Sequence, residues 1–279
     1  MKKIINITSI PMYIFVIIFV LIPLGFMVAL SFMTKSGPGS YEGVFTLQNY
    51  MQMGDKTFIK TFLYSLKLSA ITTAITLFVG NPFAYFMSRL ENESLKAVML
   101  GLVMLPFWTN ALVRIYGFII LLRGNGLIHN LLEAMGYTGT FSVLYTPWAV
   151  ITGMVYGLLP FMILTSYSAY SKIEPNIIEA SRDLGAGGTK TFLNVALPMA
   201  AEGILSGITL VFIPSMGLFF ISDLLGGGKV YILGNLIKNQ ITTAHNYPFG
   251  AAISVVMLLV MFVCMEITRL LVKVIMRRR

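Results

Sequence analysis

Charge is what this chain has least of. Asp, Glu, Lys and Arg together make up 11% of its 279 residues, against about a quarter in soluble domains. Cysteine is rarer still. Cys264 stands alone in an apolar run, which excludes an internal disulfide or a cysteine-based metal site and leaves helix packing as its reading. The two histidines, His129 and His245, have no other candidate ligand at metal-site spacing, so no metal is expected. Missing too are H-E-x-x-H, G-x-S-x-G and a nucleotide-binding glycine fingerprint, so no catalytic residue is assigned and the chain does not read as an enzyme. The piece GAGGTKT at Gly185 to Thr191 lacks the Gly-Lys-Ser/Thr ending of a phosphate-binding loop and follows no strand. No cofactor is expected on this chain.

What is abundant is apolar sequence: 57% of the residues are hydrophobic and the mean hydropathy is +0.82. Runs of 18 or more apolar residues mark membrane helices, and six spans are read, at about 11–32, 61–88, 97–122, 142–170, 197–221 and 249–274. The first follows Lys2 and Lys3 but is too long for a signal-peptide core, so it is taken as an uncleaved span. Gly80, Asn81 and Pro82 are expected to kink the second span. Met33 to Lys60, Arg123 to Phe141 and Asp223 to Pro248 read as loops on one side, the second with a short helix around Leu127 to Met135. The net charge of +9 is dispersed over loops and ends rather than gathered in a stripe, which excludes nucleic acid and fits a positive-inside bias. Twelve basic residues, including Arg277 to Arg279, then lie inside against seven outside, with both termini cytoplasmic.

The longest soluble-looking stretch on the inner side is 171–198, SKIEPNIIEASRDLGAGGTKTFLNVALP. Pro175 suits a first helical turn. Ile177, Ala180, Ser181 and Leu184 share one expected face, with Glu179, Arg182 and Asp183 on the other. Gly185 can take the left-handed conformation that ends a helix, and Thr189 is the expected N-cap of a second one. A helix–turn–helix of this kind has no core of its own and is suited to being gripped by a partner. An amphipathic helix lying on lipid headgroups is the other reading.

The spacing within this stretch carries a resemblance. Glu179-Ala180-Ser181, three residues, Gly185, nine residues, Val195, one residue and Leu197-Pro198 closely resemble the EAA loop of ABC importer permeases, with Ser181 for Ala and Val195 for Ile as the departures. The segments LPFWTNALVRIYG (Leu105 to Gly117), GLLPFMILTSYSAYSKIE (Gly157 to Glu174) and MGLFFISDLLGG (Met216 to Gly227) are similar to the polyamine branch of that family, as are FTLQNY (Phe45 to Tyr50) and YPFGAA (Tyr247 to Ala252). The resemblance implies an all-α integral membrane protein of the type I ABC importer permease (MetI-like) fold in a bacterial inner membrane. It implies that 171–198 couples to an ATPase through Glu179, Ala180, Ser181, Gly185, Val195, Leu197 and Pro198. It also implies a second homologous permease, two ATPase subunits that carry the ATP and Mg, an external polyamine-binding protein, and spermidine or putrescine as cargo.

Protonated amines are recognised by carboxylates, carbonyls and aromatic faces. Candidates for the cargo pathway are Trp108, Asn110, Tyr116, Tyr156, Phe219, Phe220 and Asp223, with lipid-facing packing as the alternative for each aromatic. Arg114 lies within a span, where a guanidinium needs a partner or water; Asp223, another acid or a backbone carbonyl would serve. Glu202 and Glu266 read as structural partners of inner cations such as Arg269. Three alternatives stay open: the same kind of permease for another small solute, an ATP-independent secondary transporter or channel, which the absence of internal repeats and the EAA spacing disfavour, and a non-transport membrane scaffold.

Overall fold

The computed structural model describes residues 10–124, 126–136 and 143–277. Lys2, Lys3, Arg278 and Arg279, used in the charge argument, and Ser142, the expected start of the fourth span, lie outside them. Apart from one hairpin, the described chain is helical. Four helices are each long and apolar enough to cross a membrane: α1 (Ile10–Ser31), α3 (Lys56–Ser88), α7 (Pro147–Tyr170) and the Tyr247–Leu270 part of α13 (Tyr247–Arg277). Two bent pairs raise the number to six if each is one broken span.

The chain packs as two compact units. The first comprises residues up to Lys60 together with Leu236–Met261. Here the expected loop 33–60 is ordered instead: β1 (Met33–Gly37) pairs antiparallel with β2 (Ser40–Phe45), and a short helix α2 (Gln48–Gln52) follows. Pro38 and Gly39 make the hairpin turn, Gly39 at φ +76° where glycine is favoured. Asn49, buried, donates to the carbonyls of Ser31 and Met33 at 2.9 Å each and so fixes the hairpin to the end of α1. Along α1 nearly every side chain is exposed, as a lipid-facing helix requires.

Thr61–Asn235 and Phe262–Arg279 form the second unit. Its central helix is α7, which packs along α10 (Ala201–Ser215). The reason is a small-residue seam. A Cβ on Gly203 would stand 2.4 Å from the Ala169 Cβ, and one on Gly207 2.5 Å from the Thr165 Oγ1. Small residues let membrane helices approach closely enough for dispersion to hold them. One core cluster joins Leu68, Ile115, Met154, Ile221 and Leu225. A second joins Met87, Ile163, Tyr170, Ile178, Ala196 and Ile204. Along α3 half of the buried residues are hydroxylic: Ser65, Ser69, Thr72, Thr73 and Thr76.

Several helix ends differ from the sequence reading. Starting at Lys56, α3 runs through Pro82 without a break. The third span is broken by 95° between Glu93–Trp108 (α4, closing in a 3₁₀ turn) and α5 (Ala111–Leu122). The short helix expected around Leu127 to Met135 is present as α6 (Leu127–Ala134). The fifth span is bent by 76° between α9 (Gly188–Met199) and α10. Pro198 therefore lies in the last turn of α9, before the bend, rather than beginning the membrane helix. A π turn at Phe192–Ala196 stops two residues before it, as another at Ile17–Leu21 stops two residues before Pro23. A proline removes the N–H that would close the regular turn, and the wider turn takes up the loss. Beyond Ser215 the chain turns into α11 (Phe219–Gly226), so Phe219 and Phe220 lie outside the fifth span, and α12 (Leu233–Thr242) orders much of the expected loop 223–248.

Candidate functional site

The segment 171–198 folds as two short helices. α8 (Pro175–Asp183) has Pro175 in its first turn and ends in a Schellman motif: Gly185 N–H donates to Arg182 O at 2.8 Å, and Ala186 N–H to Ser181 O at 3.1 Å. Gly185 is at φ +83°, and nothing lies within 4 Å of where its Cβ would be. Gly187, not Thr189, stands at the N-cap of α9. A hydroxyl of Ser181 or Thr191 donates to the other at 3.1 Å, joining the two helices, and Thr191 is buried.

The residues of the expected apolar face are not equally buried: Ile177 packs against the core and Ser181 is half-buried. Ile178 enters the core beside Tyr170 and Ala196, whereas Ala180 is exposed and Leu184 is 89% exposed. Leu184 follows the last turn of α8 and therefore projects from the tip, not into the core. Glu179, Arg182, Asp183, Lys190 and the half-exposed Leu193 are the other exposed side chains of the same two helices that carry charge or bulk. Val195, Leu197 and Pro198 are partly buried, Val195 and Leu197 packing against the core. The loop is thus rooted in the membrane unit's core and presents an exposed leucine knob on a segment that also carries exposed charges, the composition of a docking surface.

At the base of the loop Arg89, the residue after α3, donates from Nη2 to Tyr170 O at 3.0 Å and from Nη1 to Ile173 O at 3.2 Å. Its guanidinium lies 5.6 Å from the centre of the Tyr85 ring. Burial lowers its pKa, Tyr85 opposes that, and the positive charge of Arg182 adds to it. The sequence reading missed this residue. A lone cation directly after a long apolar run is the signal that marks it.

The pathway candidates fall into separate groups. At the α4–α5 break, Asn110 caps α5 by accepting from Leu112 N–H at 2.8 Å, and Trp108 is 88% exposed. Arg114 donates to the carbonyl of Pro106, and its guanidinium lies 5.7 Å from the centre of the Tyr156 ring. A backbone carbonyl thus serves the cation where Asp223 was one expected partner. Tyr156 packs on Phe118, and Tyr116 is exposed on α5. On α11, Phe219 and Phe220 meet edge to face with ring centres 6.4 Å apart. Asp223 accepts from Asn235, a buried residue that also donates to Phe219 O and accepts from Ile232 N–H. Asn235 was not foreseen; its sequence context is a glycine-rich loop. Glu266 pairs with Arg269 at 3.3 Å.

Residues 80–279 match the family model of the binding-protein-dependent transport system inner membrane component. The chain belongs to that family. Among its relatives in the family, the spermidine/putrescine transport system permease protein PotB of Haemophilus influenzae is 42% identical over 260 residues, 91% of each chain. PotB of Escherichia coli is 40% identical over 246 residues, 88% of this chain and 89% of its own. Among solved structures, a bacterial ABC transporter that imports alginate matches with a TM-score of 0.76 over 94% of this chain and 93% of its own, at 16% identity. The MetNI methionine ABC transporter matches at 0.59 over 78% of this chain and 95% of its own, also at 16% identity. The type I importer permease fold is therefore shared, and the chain is a multi-pass membrane component of such a transport system.

Proposed function

We propose that this chain is one permease subunit of an ATP-driven polyamine importer, supplying half of the translocation pathway and no nucleotide site of its own. The observation that carries the reading is the 171–198 loop. Its EAA spacing takes the form of a core-anchored knob with Leu184 outward, beside identity of 40% or more to polyamine permeases over most of the chain. In this reading the loop lies in the cytoplasm with both termini, and one of two ATPase subunits grips it. ATP and Mg stay on those subunits. A second homologous permease completes the pore, and an external binding protein delivers spermidine or putrescine.

The pathway is placed at the α4–α5 break. Irregular backbone at membrane depth is tolerated where it is covered by protein or lines a watery cavity. Thr109, Asn110 and the nearly bare Trp108 all stand exposed there. An indole face and the second lone pair of the Asn110 amide oxygen suit a polyammonium chain. Tyr116, Tyr156, Phe219, Phe220 and Asp223 are proposed to extend the same route. Proteoliposomes holding the complete importer test the reading. Uptake of radiolabelled spermidine should need ATP and the binding protein, and unlabelled putrescine should compete. Uptake that persists on a proton gradient without ATP would overturn it.

A further inference from the structure

Three elements meet at the base of the loop, and Arg89 ties them together. The carbonyls it holds, of Tyr170 and Ile173, belong to the C-terminal end of α7 and the turn after it. A helix leaves its last carbonyls without intrahelical donors, and a cation there also complements the helix dipole. From the same guanidinium the chain of contacts runs outward. Tyr85, one turn back on α3, packs edge-on against Tyr170 at 5.2 Å and, with the rings tilted at 49°, against Phe192 at 5.0 Å. The Tyr170 hydroxyl donates to Asn81 Oδ1 at 2.6 Å. Phe192 comes from α9, the second helix of the loop. One cation and its aromatic neighbours thus join α3, α7 and α9. Arg89 Nε is buried with no acceptor among the described residues, so the side chain is held by its two Nη bonds and its ring contact.

We propose that Arg89 is a positioning residue that locks the base of the loop to α3, so that displacement of the loop moves α3 and α7 as one body. This rests on the proposed role of the loop as the ATPase's grip. The turn after Tyr170 is the natural place for such a movement to be lost, because Ser171, Lys172 and Glu174 are exposed and only Ile173 is buried. A planar guanidinium spans two carbonyls at once. The ammonium of lysine is a single point charge and holds them less rigidly.

The complete importer in proteoliposomes tests this with Arg89→Met and Arg89→Lys. Retention of the ATPase subunit, ATP hydrolysis and uptake per ATP hydrolysed are read separately. Arg89→Met should keep retention and hydrolysis while uptake per ATP falls by about fivefold or more, the lower end of coupling between linked sites; Arg89→Lys should lie between it and the parent. In parallel, spin labels at the exposed positions Phe86 and Leu193, each changed to Cys in a Cys264→Ser background, report the joint itself. The distance should be single and unchanged by ATP in the parent and broad in Arg89→Met. An unchanged ratio, or the three readouts falling together with the amount of inserted permease, would overturn the proposal, as would a single sharp distance in Arg89→Met. The grip reading fails separately: retention of the ATPase by Leu184→Asp would sink it while leaving the distance result standing.

Discussion

Ser181 on the first helix of the loop and Thr191 on the second share a hydrogen bond of 3.1 Å, and Thr191 also donates, more weakly, to Ala186 O at 3.4 Å. The two helices are therefore one rigid knob, not a pair of independent segments. Thr191→Val removes both contacts at a buried position, where an unmade bond costs about 1–3 kcal/mol. The membrane helices hold their own core, so insertion should persist while uptake falls. Recovery of uptake in Thr191→Ser, measured in the same vesicles, would attribute the loss to the hydroxyl.

Gly185→Val places a β-branched residue at φ +83°. The left-handed region costs a side chain roughly 1–2 kcal/mol, and the Schellman turn is expected to open. Space is not the obstacle, since a Cβ would meet nothing. Uptake should be abolished with the permease still in the membrane at parental amount, as immunoblotting against ATPase retention would show.

Leu184→Asp alters a side chain that is 89% exposed. Thermal unfolding of the detergent-solubilised permease should shift by no more than a surface substitution does, within about 0.5 kcal/mol. Retention of the ATPase subunit should nevertheless collapse. A permease with parental retention would show that the knob is not gripped.

Gly203→Val tests the seam that brings α7 and α10 together. Its Cβ would fall 2.4 Å from the Ala169 Cβ and 2.8 Å from Thr165 O, so backbone must move. Overpacking of this kind costs about 1–3 kcal/mol. A lower unfolding temperature is expected for the permease alone, before any partner is added.

Trp108→Ala is the pathway counterpart. The indole is 88% exposed, so the isolated permease should keep its stability and ATPase retention. Spermidine uptake should fall because the cation–π face, worth about 0.5–2 kcal/mol, is gone. Trp108→Phe should recover part of it.

The membrane helices were legible in the sequence because length and apolarity are read directly from it. The loop was legible from spacing. The breaks were not: Pro106 and Pro198 sit within apolar runs, and a proline there is compatible with either a slight kink or a sharp turn. Helical spacing groups Leu184 with Ile177, Ala180 and Ser181 but does not say which member of an apolar face is buried. The leucine stays outside, while Ile178 takes the core position. By sequence Arg89 reads only as one more inside charge, since its two carbonyl partners come from the end of a helix and the turn after it, some eighty residues further on. The hairpin after α1 was hidden by its polarity, which reads the same in a loop.

The grip on Leu184 is the centre of this account, and photo-cross-linking tests it most directly. A photoreactive residue placed at 184 in the assembled importer, in membranes, should form an adduct with the ATPase subunit whose yield changes on adding ATP. Adducts with lipid alone, or with none of the partner chains, would contradict it.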